Sequence, residues 1–299
     1  MKVLMTVPNV AEGRDPDAIE AIVSAVRATE GVKLIDVSSD ATHNRTVMTY
    51  LGSPDAVLEA SRRMSLVALD RIDMRGHRGA HPRVGAVDAV PFVPVKDMEM
   101  AEAVEVAHNF GRFLGEQGVP VWYYGAAAIN PNRPRSTGKL TQSMLGEYEN
   151  LAKMVLDQTW PPDEGPHSFD PRKGACTVAA RPHLICFNVN LGSTDVTIAK
   201  RIARVVRASS GGYADVQAMG LELKDRGLVQ VSMMTTRDVD TPLPRLLETV
   251  RFEAARHGVS VVGTEFSGPI PLRALEEVVR HYLQLHDFSV NAIIENALI

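Results

Sequence analysis

Apolar positions along the chain alternate between the two-residue spacing of strands and the three-to-four-residue spacing of amphipathic helices. In the first half, helical spacing follows Asp15 and Ser53, each a helix-capping residue before a proline, and recurs from Met98 to Gln117. Before, between and after these helices, residues 2–7, 32–37, 45–51, 87–95 and 119–124 show the spacing of strands. The first half therefore predicts strands that alternate with helices.

The second half repeats this order of elements. Strand spacing predicts strands at residues 184–190, 216–223, 227–233 and 259–262. Helical spacing predicts helices at residues 194–208, after Thr241 and Pro242, and at residues 271–283. Both halves thus have the order β-α-β-β-α-β, which is the split-βαβ, or ferredoxin-like, order. We therefore predict an α/β (α+β) protein built from two such units.

The two halves join at Trp160–Arg172, a segment with four prolines. So many prolines cannot continue a helix or a central strand. We therefore place an N-terminal subdomain at residues 1–172 and a C-terminal subdomain at residues 173–299, and we expect them to pack around a shared cleft. The join is either a plain linker or an ordered loop that lines the cleft, and the sequence leaves both interpretations open.

The composition is that of a soluble globular protein, with 299 residues, 45% hydrophobic and 23% charged. A net charge of −4 argues against a protein that mainly binds nucleic acid, and no apolar run reaches the ~18–20 residues of a membrane span. The N-terminus lacks a secretory pattern, so we expect a cytoplasmic protein in which Cys176 and Cys186 are free thiols. Cys186 lies in the apolar run His183–Phe187 and is expected to be a small core residue.

The densest group of candidate catalytic residues is Met74–Asp88, which contains two His, three Arg, three Gly and one Asp. Its glycines allow sharp backbone turns, and Pro82 favours an extended backbone at His81, which would hold that imidazole in one orientation. Imidazole is the side chain best suited to move protons near neutral pH. The alternative interpretation is a solvent-exposed basic loop.

A metal site is not expected in this group. His77 and His81 are four residues apart, a spacing that places two ligands on one face only within a helix. Gly79 and Pro82 argue against a helix here, and the glutamate of a zinc hydrolase motif is absent. We therefore predict that the chain binds no metal.

Charged residues also lie at two predicted turns. Asp36, Asp40 and Arg45 surround the turn between two predicted strands, where they could belong to a site or simply stabilise the turn. Arg14 follows the first strand and precedes a helix, a natural arrangement for an anion site. A loop arginine is more often merely solvated, so both interpretations of Arg14 stay open.

Eight segments, in order along the chain, carry a single resemblance. The first, Val7–Arg14, reads V-P-N-V-A-E-G-R. The others are His43–Val47, Gly79–Asp88, Pro91–Val95, Gly146–Glu149, Gly174–Leu191, Gln230–Met233 and Val261–Glu265. Together they resemble the formiminotransferases (glutamate formimidoyltransferases) over essentially the whole chain.

This resemblance implies transfer of a formimidoyl group from N-formimidoyl-L-glutamate to N5 of tetrahydrofolate, a step of histidine degradation. It implies that folate and formimidoylglutamate are the small-molecule partners, with tetrahydrofolate as the one-carbon acceptor. It also implies a cytoplasmic homodimer. The chain ends where the transferase domain of the family ends, so we expect no fused cyclodeaminase domain.

The resemblance also implies site residues. His81 matches the catalytic histidine of the family's G-E-H-P-R motif, which could carry a proton from N5 to the departing glutamate nitrogen. Both substrates bear carboxylates, which arginines in the matching segments could bind: Arg14, Arg45, Arg83 and Arg181. Asp36 or Asp40 could stabilise the amidinium charge. The other candidate substrate-binding residues are Asn44 and three residues of a segment that lines the folate site in the family, Gly165, Pro166 and His167.

Three positions depart from the family pattern. The family commonly has a glutamate at the position of Ala80, an acid at that of Thr42 and a basic residue near Met144. These departures keep two alternatives open. One is an enzyme of the same fold that uses another donor, for formyl transfer or 5-formyltetrahydrofolate cyclisation. The other is a non-catalytic folate-binding protein.

Overall fold

The computed structural model of the chain describes residues 1–133, 139–236 and 239–298, except for the side chains of residues 297 and 298. The chain divides into two compact units, Met1–Pro182 and His183–Ile299. The sequence-based boundary lies ten residues earlier, between residues 172 and 173. The later boundary follows from a strand that the sequence pattern did not predict, Cys176–Ala180, because this strand pairs with strands of the first unit.

The described part of the first unit contains seven strands and four α-helices. In chain order they are β1 (Val3–Thr6), β2 (Asn9–Val10), α1 (Pro16–Arg27), β3 (Val32–Asp40), β4 (Arg45–Gly52), α2 (Pro54–Arg71), β5 (Val87–Lys96), α3 (Met100–Glu116), β6 (Val121–Gly125), α4 (Glu147–Met154) and β7 (Cys176–Ala180). A π-helical turn, Lys139–Met144, precedes α4. Each predicted strand and helix of this half is present, whereas β2, β7 and α4 were not predicted.

These strands form one sheet in the order β3, β4, β1 with β2, β5, β7 and β6. Both β1 and β2 pair with β4 on one side and with β5 on the other, so they occupy one position in the sheet. The strands from β1 to β5 pair antiparallel in the split order that the sequence predicted. β7 and β6 extend the sheet beyond β5 as parallel strands.

Helices α1 and α2 begin where the capping signals predicted. The Asp15 carboxylate accepts hydrogen bonds from the backbone N–H groups of Asp17 and Ala18, at 3.0 and 3.1 Å. The Ser53 hydroxyl accepts one from Ala56 N–H at 3.3 Å. Each capping residue satisfies donors that have no partner within the helix, and a proline occupies the first turn.

Apolar side chains cover the sheet of the first unit unevenly. A large core contains residues of the sheet and of helices α1, α2 and α3, and it includes Tyr50 of β4, Phe92 of β5 and Phe110 of α3, each 0% exposed. A second apolar cluster, around Trp122, packs on β6 and β7 and includes residues of α4. Because side chains alternate along a strand, Arg45 in β4 lies on the opposite face from Met48, which belongs to the large core.

In its described residues, the second unit has the elements of the split order followed by one more α-helix. Its elements are β8 (Ile185–Leu191), α5 (Val196–Val206), β9 (Gln217–Leu223), β10 (Leu228–Thr235), α6 (Leu243–Arg256), β11 (Val261–Phe266) and α7 (Leu272–Leu283). The strands form an antiparallel sheet in the order β11, β8, β10, β9. Together with the first unit, this confirms the predicted α+β architecture of two subdomains.

The prediction that Cys186 is a core residue is wrong. In β8, the alternate residues Ile185 and Phe187 belong to the core, whereas Cys186 is only half-buried and pairs with Met234 on the other face of the sheet. Cys176 in β7 is instead the fully buried thiol. These two cysteines, both within the described residues, form no disulfide with each other.

None of the helices in the described ranges is long enough and apolar enough to cross a lipid bilayer.

Candidate active site

The loop between α2 and β5 lies against the turn between β3 and β4. Ala80 N–H donates to the carbonyl of Thr42 at 3.1 Å. A Cβ atom on Gly79 would lie 2.1 Å from the carbonyl oxygen of His43, so a side chain at this position would push the two segments apart. The loop and the turn are thus in direct backbone contact.

Asn44 connects three segments at this end of the sheet. Its Oδ1 accepts a hydrogen bond from Gly13 N–H at 2.9 Å, and its Nδ2 donates to the carbonyl of Arg78 at 3.2 Å. Its own carbonyl accepts from His77 Nε2 at 2.9 Å. Asn44 has a φ of +50°, a conformation that asparagine tolerates better than most residues. In this structure Asn44 organises the site through contacts with protein groups.

His81 lies half-buried next to Arg45. Its Nδ1 lies 2.5 Å from the carbonyl oxygen of Pro82. Because a carbonyl only accepts hydrogen bonds, this contact favours the tautomer with its hydrogen on Nδ1 and its lone pair on Nε2. Arg45 Nη1 contacts both ring nitrogens. His81 is therefore held by its own backbone on one side and by a guanidinium on the other.

Arg45 is fixed by a neutral oxygen and faces a buried carboxylate. Its Nε donates to Asn9 Oδ1 at 2.7 Å, and its Nη2 donates to the same atom. Its Nη1 lies 3.9 Å from Asp88 Oδ2. The other carboxylate oxygen of Asp88 accepts a hydrogen bond from Val84 N–H at 2.7 Å. His81, Arg45, Asn9 and Asp88 thus form one contact group, which we call the His81 cluster.

Burial shifts the protonation of two members of this cluster in opposite directions. Burial, together with the smaller effect of the positive charge of Arg45, lowers the pKa of His81 to about 4. It raises the pKa of Asp88 to about 6, against the opposing effects of Arg45 and of nearby backbone N–H groups. At neutral pH, His81 is therefore a neutral imidazole and Asp88 an ionised carboxylate.

Arg83 is engaged with the protein itself. Its Nη1 and Nη2 donate to the two carboxylate oxygens of Glu149 in α4, at 2.9 and 2.6 Å. Its Nε donates to His77 Nδ1 at 3.3 Å, and its guanidinium lies over the ring of Tyr148. Arg83 is 8% exposed. These contacts join the loop to α4, and a role of Arg83 in substrate binding remains a prediction.

His77 uses both of its ring nitrogens in hydrogen bonds within the protein. Nε2 faces the Asn44 carbonyl, and Nδ1 accepts from Arg83. Burial lowers the pKa of His77 below its usual value, so the ring is neutral. Within the described ranges, no group of three or more His, Cys, Asp or Glu residues could hold a metal ion.

Arg14 and Asp40 lie at the rim of this end of the sheet. Arg14 Nε donates to the carbonyl of Ala41 at 2.8 Å. Asp40 Oδ1 accepts from His43 N–H at 2.7 Å, and the hydrogen bonds from His43 lower the pKa of this carboxyl. Both side chains are exposed, as is Asp36 on β3. All three are accessible to a ligand, and their substrate contacts stay predictions.

Gly165 and Arg181 have neighbours outside the His81 cluster. Gly165 has a φ of +83°, and a Cβ there would lie 2.5 Å from the carbonyl oxygen of Val119, between α3 and β6. Arg181 Nη1 donates to the carbonyl of Pro182 at 3.0 Å. Pro166 is half-buried and His167 is exposed. The folate contacts predicted for residues 165–167 remain predictions.

Sequence reasoning did not assign a role to Asn9 or Asp88. Asp88 lay in the candidate group Met74–Asp88 without being singled out, and Asn9 lay in the matching segment Val7–Arg14. Asn9 did not stand out, since only the pairing of β2 with β4 and β5 brings it beside Arg45.

Comparisons with known proteins identify the family of the chain. A family model of the formiminotransferase domain, N-terminal subdomain, matches residues 3–181, and a model of the formiminotransferase domain matches residues 186–299. The two matches place the chain in a class of group-transferring enzymes with two subdomains. The chain belongs to the formiminotransferase family.

Named relatives fall into two groups. Glutamate formimidoyltransferase of Streptococcus pyogenes serotype M1 is 39% identical over 100% of this chain and 99% of its own length. That of Thermoplasma acidophilum is 39% identical over 100% of this chain and 98% of its own length. Formimidoyltransferase-cyclodeaminase of Rattus norvegicus is 40% identical over 92% of this chain. The matched part is 51% of the rat protein, so the chain corresponds to about half of that relative.

Proposed function

We propose that the chain transfers the formimidoyl group of N-formimidoyl-L-glutamate to N5 of tetrahydrofolate, producing 5-formimidoyltetrahydrofolate and L-glutamate. Full-length similarity to two glutamate formimidoyltransferases supports this reaction. The observation that carries it is the half-buried ring of His81 with its Nδ1 against the Pro82 carbonyl, an arrangement that favours a neutral imidazole with a lone pair on Nε2. Such a ring is suited to accept and return one proton.

The proposed reaction needs one proton to move between two nitrogens. N5 attacks the amidine carbon and forms a tetrahedral intermediate in which N5 carries a positive charge. Nε2 of His81 takes the proton from N5 and delivers it to the glutamate nitrogen as the bond between that nitrogen and the carbon breaks. General acid–base catalysis of this kind contributes about 10²–10⁴-fold to a rate.

The depressed pKa of His81 suits the second half of this transfer. An imidazolium held beside Arg45 is a strong acid, because the two positive charges repel each other. Protonated His81 therefore gives its proton readily to the departing amine, which would otherwise be a poor leaving group. The burial that makes His81 a weak base thus makes its protonated form an effective acid.

Charged groups of the matching segments and of β3 provide for the charges of the substrates. We assign substrate carboxylates to Arg14, Arg45, Arg83 and Arg181, and the amidinium to Asp36 or Asp40. Side-chain exposure supports these assignments for Arg14, Asp36 and Asp40. The folate substrate, the homodimer and the cytoplasmic location implied by the sequence resemblance belong to the same proposal.

A second candidate function is transfer from a different one-carbon donor to the same folate. Ala80 and Thr42, two positions that depart from the family pattern, are joined by a backbone hydrogen bond of 3.1 Å. Both changes therefore affect one place, directly beside His81. An altered contact with the donor at this place would leave the proton-transfer residues intact.

The proposed function is tested by supplying tetrahydrofolate and N-formimidoyl-L-glutamate to the purified chain and following L-glutamate release. We expect glutamate and 5-formimidoyltetrahydrofolate to form in equal amounts. N-formyl-L-glutamate serves as the matched donor, and faster turnover with it would favour the second candidate. Folate binding without glutamate release from either donor would contradict both candidates and identify a folate-binding protein.

A further inference from the structure

Asp88 is a buried carboxylate in contact with the His81 cluster, and the proposed proton transfer does not use it. It is 6% exposed. Its Oδ1 accepts the hydrogen bond from Val84 N–H, and its Oδ2 faces Arg45 Nη1 at 3.9 Å. A solvent-inaccessible carboxylate is costly to ionise, so this position needs an explanation beyond folding.

The contacts of Arg45 divide its guanidinium into two sides. Nε and Nη2 both donate to Asn9 Oδ1, which is neutral. Nη1 faces the two groups that titrate, the ring of His81 and the carboxylate of Asp88. Because an arginine does not lose its proton in a protein, Arg45 transmits the charge state of Asp88 to His81 rather than a proton.

We propose that Asp88 is a positioning residue for His81: through Arg45, its carboxylate orients the guanidinium and sets how strongly the imidazole accepts a proton. This rests on the proposed function. When Asp88 is ionised, it balances the positive charge of Arg45, and protonation of His81 is less unfavourable. When Asp88 is protonated, Arg45 opposes protonation of His81 in full.

The burial of Asp88 places this change in a useful pH range, since its pKa is raised to about 6. Protonation of Asp88 below that pH should therefore weaken His81 as a base before His81 itself becomes charged. Among the residues that the structure describes, the other titratable or charged groups around Asp88, Arg45 and His81 are Arg83, His43, His77, Tyr124 and Cys176.

The first test observes His81 by NMR and needs no turnover. The imidazole signals, assigned by their loss in His81→Gln, are followed in the wild type from about pH 3.5 to 8. We expect two steps, one near pH 6 from Asp88 and one near pH 4 from the ring itself. Asp88→Asn, which keeps an oxygen for Val84 N–H, should lose the upper step. Asp97→Asn, which changes an exposed carboxylate just beyond β5, should keep both steps.

The second test measures catalysis. At about pH 7.5, Asp88→Asn should lower kcat by about 3- to 10-fold, because the base becomes weaker. The KM of both substrates should change by less than about twofold, because Asn9 still holds the Arg45 guanidinium. In the profile of kcat against pH, the fall below about pH 6 seen in the wild type should be absent from Asp88→Asn. The double variant N9D/D88N returns a negative charge to Arg45 from the opposite side and should recover part of the lost kcat.

The proposal would be overturned if the His81 signals of the wild type titrated in a single step. It would also be overturned if the titration curve of Asp88→Asn superimposed on that of the wild type. A double variant no faster than Asp88→Asn would show that charge on Arg45 is not the cause of the loss. If the wild type released no glutamate, the proposed function would fail, whereas the NMR titration would still decide the coupling of Asp88 to His81.

Discussion

At the residue scale, the site is defined by how each charged group is balanced. Arg45 and Arg83 lie in matching sequence segments, and both were expected to bind substrate carboxylates. The structure separates them, because Arg83 forms a two-point contact with Glu149 while Arg45 contacts His81. Glu149 is 66 residues from Arg83 in the chain, and no local pattern could reveal that pair.

His81 shows what sequence can predict about a single residue. The following proline predicted a fixed orientation of the ring, and the structure gives a contact of Nδ1 with the carbonyl of that same Pro82. The neighbouring Arg45 was named as a candidate ligand but not as a partner of the ring. Its contact with His81 depends on sheet pairing, which spacing along one segment does not encode.

Asp88 predicts a pH-dependent effect on stability. Its pKa is raised from 3.8 to about 6 in the folded chain, so the folded state is favoured when Asp88 is protonated and loses stability as the pH rises through this range. Above pH 6 the full penalty, about 3 kcal/mol, applies. Asp88→Asn should therefore raise the free energy of unfolding by up to about 3 kcal/mol near pH 8, but only by about 1 kcal/mol near pH 4.5.

This difference is measurable by urea unfolding of the wild type and the variant at both pH values. Asp97→Asn is the control, because its carboxylate is exposed and its effect should be small at each pH. An Asp88→Asn variant that is less stable than the wild type near pH 8 would show that burial is not the main influence on this carboxyl.

At the element scale, the regular spacing of apolar residues predicted the strands and helices that bury one face in a core. It missed β2, β7 and α4. β2 has only two residues, too few for a pattern. β7, Cys176–Ala180, is buried at every position and therefore shows no alternation. α4 has eight residues and follows segments without regular spacing.

The loop before β5 has a defined conformation because two backbone segments touch at Gly79. Gly79→Ala should push the loop away from the His43 carbonyl and displace His81, with a loss of turnover of about 10²-fold. Gly76→Ala is the matched control, since a Cβ at Gly76 meets nothing within 4 Å. The measurement is the rate of glutamate release by each variant, after circular dichroism has shown that both variants are folded to the same extent. Equal turnover in both variants would mean that the contact at Gly79 does not position His81.

At the scale of the whole molecule, repetition of β-α-β-β-α-β predicted two units, and the structure has both. The proline-rich segment suggested a boundary at residue 172. The chain instead returns to the first sheet as β7 before the second unit starts at His183. A long-range parallel pairing of this kind depends on strand order in three dimensions and has no local sequence signal.

The resemblance carried by eight ordered segments is confirmed at the level of the family by matches to both subdomain models. Three of these segments, Val7–Arg14, His43–Val47 and Gly79–Asp88, meet in the His81 cluster. The sequence resemblance names the segments, and the structure shows the contacts between them.

The central claim is that His81 carries the proton during transfer, and His81→Ala tests it most directly. Glutamate release and tetrahydrofolate affinity are measured side by side for the wild type and the variant. The account predicts a kcat lowered by about 10²–10⁴-fold with tetrahydrofolate affinity changed by less than about twofold. Turnover by His81→Ala equal to that of the wild type would contradict it.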